Sequence, residues 1–184
     1  MRMEIKGQAM DVAFEALDAR FGRMRDYLAR LQGARRMPRR ADLDPMAFAD
    51  LLPFVNLIDV VVEDDAVRFR FRLVGTVQSE AAELDYAGRF VDDVVDPVSR
   101  PRVLEDLTRV AATCRPRYGR YGMPFPGRGF IDSERVFYPL SADDRMVDGI
   151  LALHHYPDRA LAPRITPQGW HLNAWRQALG RFPL

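Results

Sequence analysis

Apolar residues recur along the N-terminal stretch at spacings of four and three: Met10, Phe14, Leu17, Phe21, Met24, Leu28 and Leu31. This 3.5-residue seam predicts one amphipathic helix over residues 10–31 that packs lengthwise against another surface. Gly33 and the arginines around Pro38 end it. Asp44-Pro45 then offers a capping carboxylate with proline at the first helical position, which predicts a short helix that Pro53 stops. Residues 54–62 are rich in β-branched side chains, and Glu63-Asp64-Asp65 follows them. Residues 67–76 alternate strictly at their start: Val67, Phe69, Phe71 and Leu73 fall on one face, and Arg68, Arg70 and Arg72 on the other. Two strands around an acidic turn predict a β-hairpin.

Beyond Gly75 the pattern is helical and irregular over residues 77–84 and 91–95. Asp96-Pro97 opens a longer helix with a stripe of Val103, Leu107, Val110 and Cys114, flanked by Leu104 and Ala111. Glycines and prolines between positions 116 and 129 punctuate a short strand and a long loop. Two further strands, over 131–140 and 146–156, flank the turn at Asp143-Asp144. The order strand, strand, short helices, longer helix and three strands predicts an α+β fold. Its sheet is antiparallel and five-stranded, with helices on one face. The chain divides into an N-terminal amphipathic helix (1–36), a core domain (37–156) and a C-terminal tail (157–184) with a short helical pattern at 170–179.

Composition narrows the function classes. A chain of 184 residues with 48% hydrophobic residues favours one domain with a real core. Lys+Arg and Asp+Glu number 27 and 26, so the global basic footprint of a nucleic-acid binder is absent and no nucleic-acid partner is expected. A single lysine, Lys6, stands against many arginines, which reads as genome composition more than recognition chemistry. The lone Cys114 excludes an internal disulfide framework and any CxxC metal or redox motif. No apolar run approaches the ~18 residues of a membrane helix. Acidic residues stand near the N-terminus where a signal peptide would carry its apolar core. A soluble, cytoplasmic protein with no membrane partner is the expectation.

The sequence resembles a PAS domain, and in particular a proteobacterial group of small stand-alone PAS-like proteins. The likeness is carried by MPRRADLDP (from Met37), LLPFVNLIDV (from Leu51), RFRFRLVGT (from Arg68), AGRFVDDV (from Ala87) and YPLSADD (from Tyr138), in that order. The resemblance implies a sensory or protein-interaction fold, often a homodimer, with an N-terminal helix on the outer face of the sheet. It leaves the cofactor unknown. Light-sensing flavin PAS domains carry a reactive cysteine in an Asn-Cys-Arg-Phe context, whereas Cys114 sits in Ala-Thr-Cys-Arg. Haem PAS domains commonly place a histidine on the helix before the third strand, and residues 97–113 contain none. Neither haem nor flavin is supported.

Candidate chemistry is sparse. His154 and His155 are adjacent in a strand and so face opposite ways, which prevents both from ligating one metal. One is expected to face the core with a satisfied nitrogen or to touch a ligand. Phe69 and Phe71 fall by alternation on the inner face, where a small, mostly apolar cavity would lie against segment 77–113, with residues 115–125 as its rim. Arg115, Arg117 and Arg120 flank a predicted strand. Turned inward, a guanidinium fork suits a carboxylate or phosphate. Turned outward, the three protect a sheet edge. The ligand candidates are therefore Phe69, Phe71, Arg115, Arg117 and His154. Cys114 reads as a small hydrophobe, Gly127-Arg128-Gly129 as a turn, and Arg35 to Arg40 as a solvated linker. The aromatics Phe69, Phe71, Phe125, Phe130, Phe137 and Tyr138 read as core packing. No catalytic or metal-binding residues are assigned.

Two functions of different class remain. One is a non-enzymatic sensory or regulatory module that couples a small-molecule ligand, or an unidentified signalling partner, to its N-terminal helix. The other is a small α+β conical enzyme of isomerase or dehydratase type, with Asp59, Asp132 or an inward histidine as general base. The arginine face of the second strand is too polar to cover the apolar seam fully. A homodimer with Phe14, Leu17, Phe21, Met24 and Leu28 at or near the interface is therefore expected.

Overall fold

The computed structural model describes residues 13–64, 66–82, 84–125, 129–157 and 178–179, and the backbone alone at 81, 123–125 and 129–131. Met10, the Gly127-Arg128 turn, the Phe125 and Phe130 side chains and most of the helical pattern in the tail lie outside the described residues.

The alternating Val67–Leu73 stretch forms the edge of a five-stranded antiparallel sheet. Strands β1 (Val55–Glu63), β2 (Ala66–Leu73), β3 (Arg117–Phe125), β4 (Gly129–Leu140) and β5 (Gly149–His155) lie in the order β2-β1-β5-β4-β3. The expected hairpin pairs Val60 with Phe69 and Ile58 with Phe71. A β-bulge shifts the register between Leu57 and Ile58. It sends Leu73 away from Phe69 and Phe71 and into the outer-face core with Leu57, a departure from strict alternation. Strand β3 runs nine residues where a short strand and loop were expected. As an edge strand it tolerates Gly119, Gly122 and Pro124, because only one side of its ladder needs donors.

The outer face carries helix α1 (Ala19–Gln32). The predicted start at residue 10 is corrected: the Asp18 carboxylate accepts from the Arg20 N–H at 3.0 Å and caps the helix there. Leu17 before it is extended, and Phe14–Ala16 make a single 3₁₀ turn. Phe14 folds back to stack on Tyr138, with its ring centroid 6.2 Å away. Phe21, Met24, Tyr27 and Leu28 are buried against Val55, Leu57, Val136 and Leu153 of the chain's own sheet. The Tyr138 hydroxyl donates to the Phe21 carbonyl at 2.8 Å. A kinked 3₁₀ segment, Pro45–Phe54, is capped by Asp44 as predicted, runs one residue past Pro53, and adds Phe48, Leu51 and Leu52 to this core.

Three helices cover the inner face: α2 (Thr76–Ala82), α3 (Val91–Val94) and α4 (Arg100–Thr113). The Asp96 carboxylate accepts from the N–H groups of Val98 and Ser99, both at 3.0 Å, and organises the entry to α4. Val103, Leu107 and Val110 of the predicted stripe point into a second core with Ile58, Phe69, Phe71 and Phe137. Cys114, half-buried, ends α4 in the left-handed region (φ 56°). Among the described residues no helix is long and apolar enough to cross a membrane.

Candidate ligand-binding cavity

On the outer side a cleft of ≈ 190 Å³ runs beside Met24, Tyr27, Phe48 and Leu51. The inner core leaves a cavity of ≈ 200 Å³ between the sheet and α2–α4. Its apolar wall includes Ile58, Phe71, Val91, Val103, Leu107 and Phe137. Its polar wall comes from Asn56 on β1, Gln78 on α2, Arg135 on β4 and His154 on β5, with Asp96 and Ser99 beyond α3. Alternation places these side chains. Asn56 and Ile58 share the inner face of β1, and Ala152 and His154 that of β5.

The hydrogen bonds around Asn56 determine the protonation of His154. A backbone N–H can only donate, and that of Gly75 donates to Asn56 Oδ1 at 2.8 Å. The Asn56 amide nitrogen therefore faces His154 Nε2 at 3.2 Å, and since it too can only donate, Nε2 is the acceptor. The imidazole is neutral with its proton on Nδ1. Burial, and then the positive charge of Arg135, hold it well below the ordinary histidine value, in agreement. His154 is 4% exposed, and Nδ1 has no hydrogen-bond partner. Gly75 itself is required here, because a side chain would run into the Pro53 carbonyl oxygen. Burial likewise raises the phenols of Tyr86, on the cavity wall, and Tyr156.

Behind the polar wall lies a charged network that sequence reading missed. Asp106, 1% exposed, pairs with Arg117 of β3 and accepts from the Tyr121 hydroxyl. Burial and the Asp106 charge push the Tyr121 phenol up. Charged residues on an amphipathic helix are expected to face water, so the polarity of position 106 hid its place one residue before Leu107 on the buried stripe. Only the spacing from Val103 and Val110 pointed to it.

Phe71 and His154 line the cavity. Phe69 is buried in the surrounding core and is not part of the wall. Arg115 is exposed beyond the end of α4, and Arg117 is engaged with Asp106, so neither reaches the cavity. Arg120 pairs with exposed Asp132 at 2.6 Å. Asp59 lies on the outer face among Arg40, Arg70 and Arg72, with oxygens 2.8, 3.5 and 2.7 Å from their nitrogens. His155, on the outer face as its neighbour's partner in alternation, approaches Glu134 at 2.9 Å and Asp18 at 3.3 Å. In the linker expected to be solvated, Arg35 donates to the Ser141 carbonyl at 2.9 Å, and Arg40 holds Asp59. Cys114 is absent from the cavity wall. Among the described residues no cluster of three or more His, Cys, Asp or Glu could hold a metal ion.

A central antiparallel sheet carries short helices that close a cavity over one face and an N-terminal helix on the other. The family model for the PAS domain matches residues 19–153, and the chain belongs to the PAS-domain family. Similar solved structures include the LOV protein of Rhodobacter sphaeroides, at 9% identity over 76% of this chain and 93% of that one (TM-score 0.45). The PAS domain of BvgS from Bordetella pertussis is 18% identical over 76% and 100% of the two chains (TM-score 0.45). A sensory box histidine kinase/response regulator from Burkholderia thailandensis is 11% identical over 76% and 100% (TM-score 0.39). No curated protein matches.

Proposed function

We propose that this chain is a non-enzymatic sensory module that binds a small molecule in its inner cavity and passes the state of that cavity to another protein. The supporting observation is the cavity itself: a mostly apolar space of ≈ 200 Å³ with a buried histidine on its wall. The volume falls below the ~300–1,000 Å³ of sites for drug-sized ligands and slightly above the ~150 Å³ that accommodates benzene. The ligand is correspondingly compact. The enzyme reading loses two of its three proposed bases, since Asp59 and Asp132 lie outside the cavity.

Native mass spectrometry of gently purified protein tests the reading. Retained small molecules are expected in the wild type and absent in Ala152→Leu, which adds three carbons to the cavity wall at a buried position. Equal retention by the two proteins would place the ligand elsewhere. Signal output belongs to the outer face. A homodimer there would use Phe14 and Leu17, which are half-buried, because Phe21, Met24 and Leu28 are already covered by the chain's own sheet.

A further inference from the structure

We propose that the cavity selects a compact apolar molecule bearing a carbonyl or carboxylate oxygen, which accepts a hydrogen bond from His154 Nδ1–H. The inference rests on the cavity being the ligand site and adds the chemistry it selects. Of the described residues that line the cavity, His154 alone holds a buried side-chain polar atom without a partner, its Nδ1. The others are engaged. Asn56 uses its oxygen on the Gly75 N–H and its nitrogen on His154 Nε2. Gln78 faces the carbonyls of Pro53 and Gly75, which can only accept, so its amide is assigned with the nitrogen on that side, donating to them at 3.2 and 3.1 Å. Asp96 Oδ1 accepts from Val98 and Ser99.

The direction of the missing bond follows from the tautomer. Asn56 can only donate to Nε2, so Nδ1 carries the hydrogen and requires an acceptor. A ligand with an sp² oxygen satisfies it. A hydrocarbon of the same shape leaves a buried donor unpaired, and an ammonium or other donor-only group opposes it. An unsatisfied buried donor disfavours the wrong ligand by about tenfold or more. Arg135, 5% exposed on the same wall, adds positive charge that suits a carboxylate. The apolar remainder of the ligand meets Phe71, Val103, Leu107 and Phe137.

The full chain titrated with toluene, acetophenone, benzoate and benzylamine separates these cases, because the four share one apolar body and differ in the group presented to His154. Thermal melting reports binding, and the long-range ¹H–¹⁵N spectrum of the histidines reports Nδ1 directly. Acetophenone or benzoate is expected to bind at least tenfold tighter than toluene and benzylamine and to move the His154 Nδ1 resonance. Benzoate ahead of acetophenone identifies a carboxylate ligand, and the reverse a neutral carbonyl. His154→Phe is expected to retain toluene and to lose the preference for oxygen. If that variant does not fold, the Nδ1 resonance of the wild type decides alone. Toluene binding as tightly as the oxygen-bearing probes, with Nδ1 unmoved, overturns the acceptor assignment while the cavity remains a ligand site. If none of the four raises the melting temperature or shifts any resonance of the cavity wall, the ligand site itself is wrong.

Discussion

The guanidinium of Arg135 lies over the ring of Tyr121, its central carbon 4.5 Å from the ring centroid, while the hydroxyl of the same tyrosine donates to Asp106. One residue of the cavity wall is thereby joined to a buried carboxylate in the middle of α4, and through it to Arg117 on the β3 edge. The sheet and the helix that enclose the cavity share a charged contact that must stay paired. A buried carboxylate is tolerated only while its partners remain in place.

Truncating this carboxylate is expected to be severe. Asp106→Ala leaves Arg117 and the Tyr121 hydroxyl without their acceptor and should lower stability by about 3 kcal/mol. Asp106→Asn keeps an oxygen for Tyr121 and should lower it by less. Urea denaturation of both variants checks the order, and a loss of under about 1 kcal/mol for the alanine variant would show that the network contributes little.

Stability should fall on mild acidification because of His154. Its folded-state value is held well below the ordinary 6.5, foremost by burial. Between that depressed value and 6.5, the unfolded chain takes up a proton that the folded chain refuses. Stability contributed by the neutral imidazole is therefore complete above about pH 6.5. It is lost as pH falls from there toward the folded value, at up to ~1.4 kcal/mol per pH unit. Asp50 and Asp26, held below the ordinary 3.8 by hydrogen bonds from Arg23 and Arg25, act only at lower pH, so the two windows separate. Urea midpoints at pH 7, 6 and 5 should decline in the wild type and flatten in His154→Gln. The same decline in the variant would move the proton uptake to another group.

The seam of α1 should respond as core, not as an interface. Met24 is 1% exposed within the chain's own outer-face core. Met24→Ala is expected to destabilise by about 2–5 kcal/mol, and Met24→Asp to unfold the chain instead of releasing a folded monomer. Leu17→Asp, at a half-buried position before the helix, should leave the fold intact and dissociate any dimer that forms through this end. Circular dichroism and sedimentation of the three variants distinguish the roles. A folded, monomeric Met24→Asp would return this residue to a subunit interface.

Much of the architecture was legible in local pattern. Alternation of Phe69 and Phe71 with arginines specified the hairpin and its inner face, because adjacent strand residues must point to opposite sides. The Val103, Leu107 and Val110 stripe specified which side of α4 is buried, and the adjacency of His154 and His155 placed them on opposite faces of β5. These are properties of neighbours within one element, so a single segment carries them.

What only the tertiary structure decided depends on residues far apart in the chain. The seam from Phe14 to Leu31 required a covering surface, but periodicity cannot say whose. The outer-face residues of β1, β4 and β5 provide it, although the arginines of β2 suggested a polar face. The orphaned nitrogen of His154 depends on Asn56, whose amide is oriented by the Gly75 N–H 19 residues further along the chain. Asp106 looks like a solvent-facing helix residue until β3 brings Arg117 and Tyr121 against it. Hydrogen-bond complementarity is a property of pairs in space. A one-dimensional pattern records which groups need partners, and folding alone determines which one is left without.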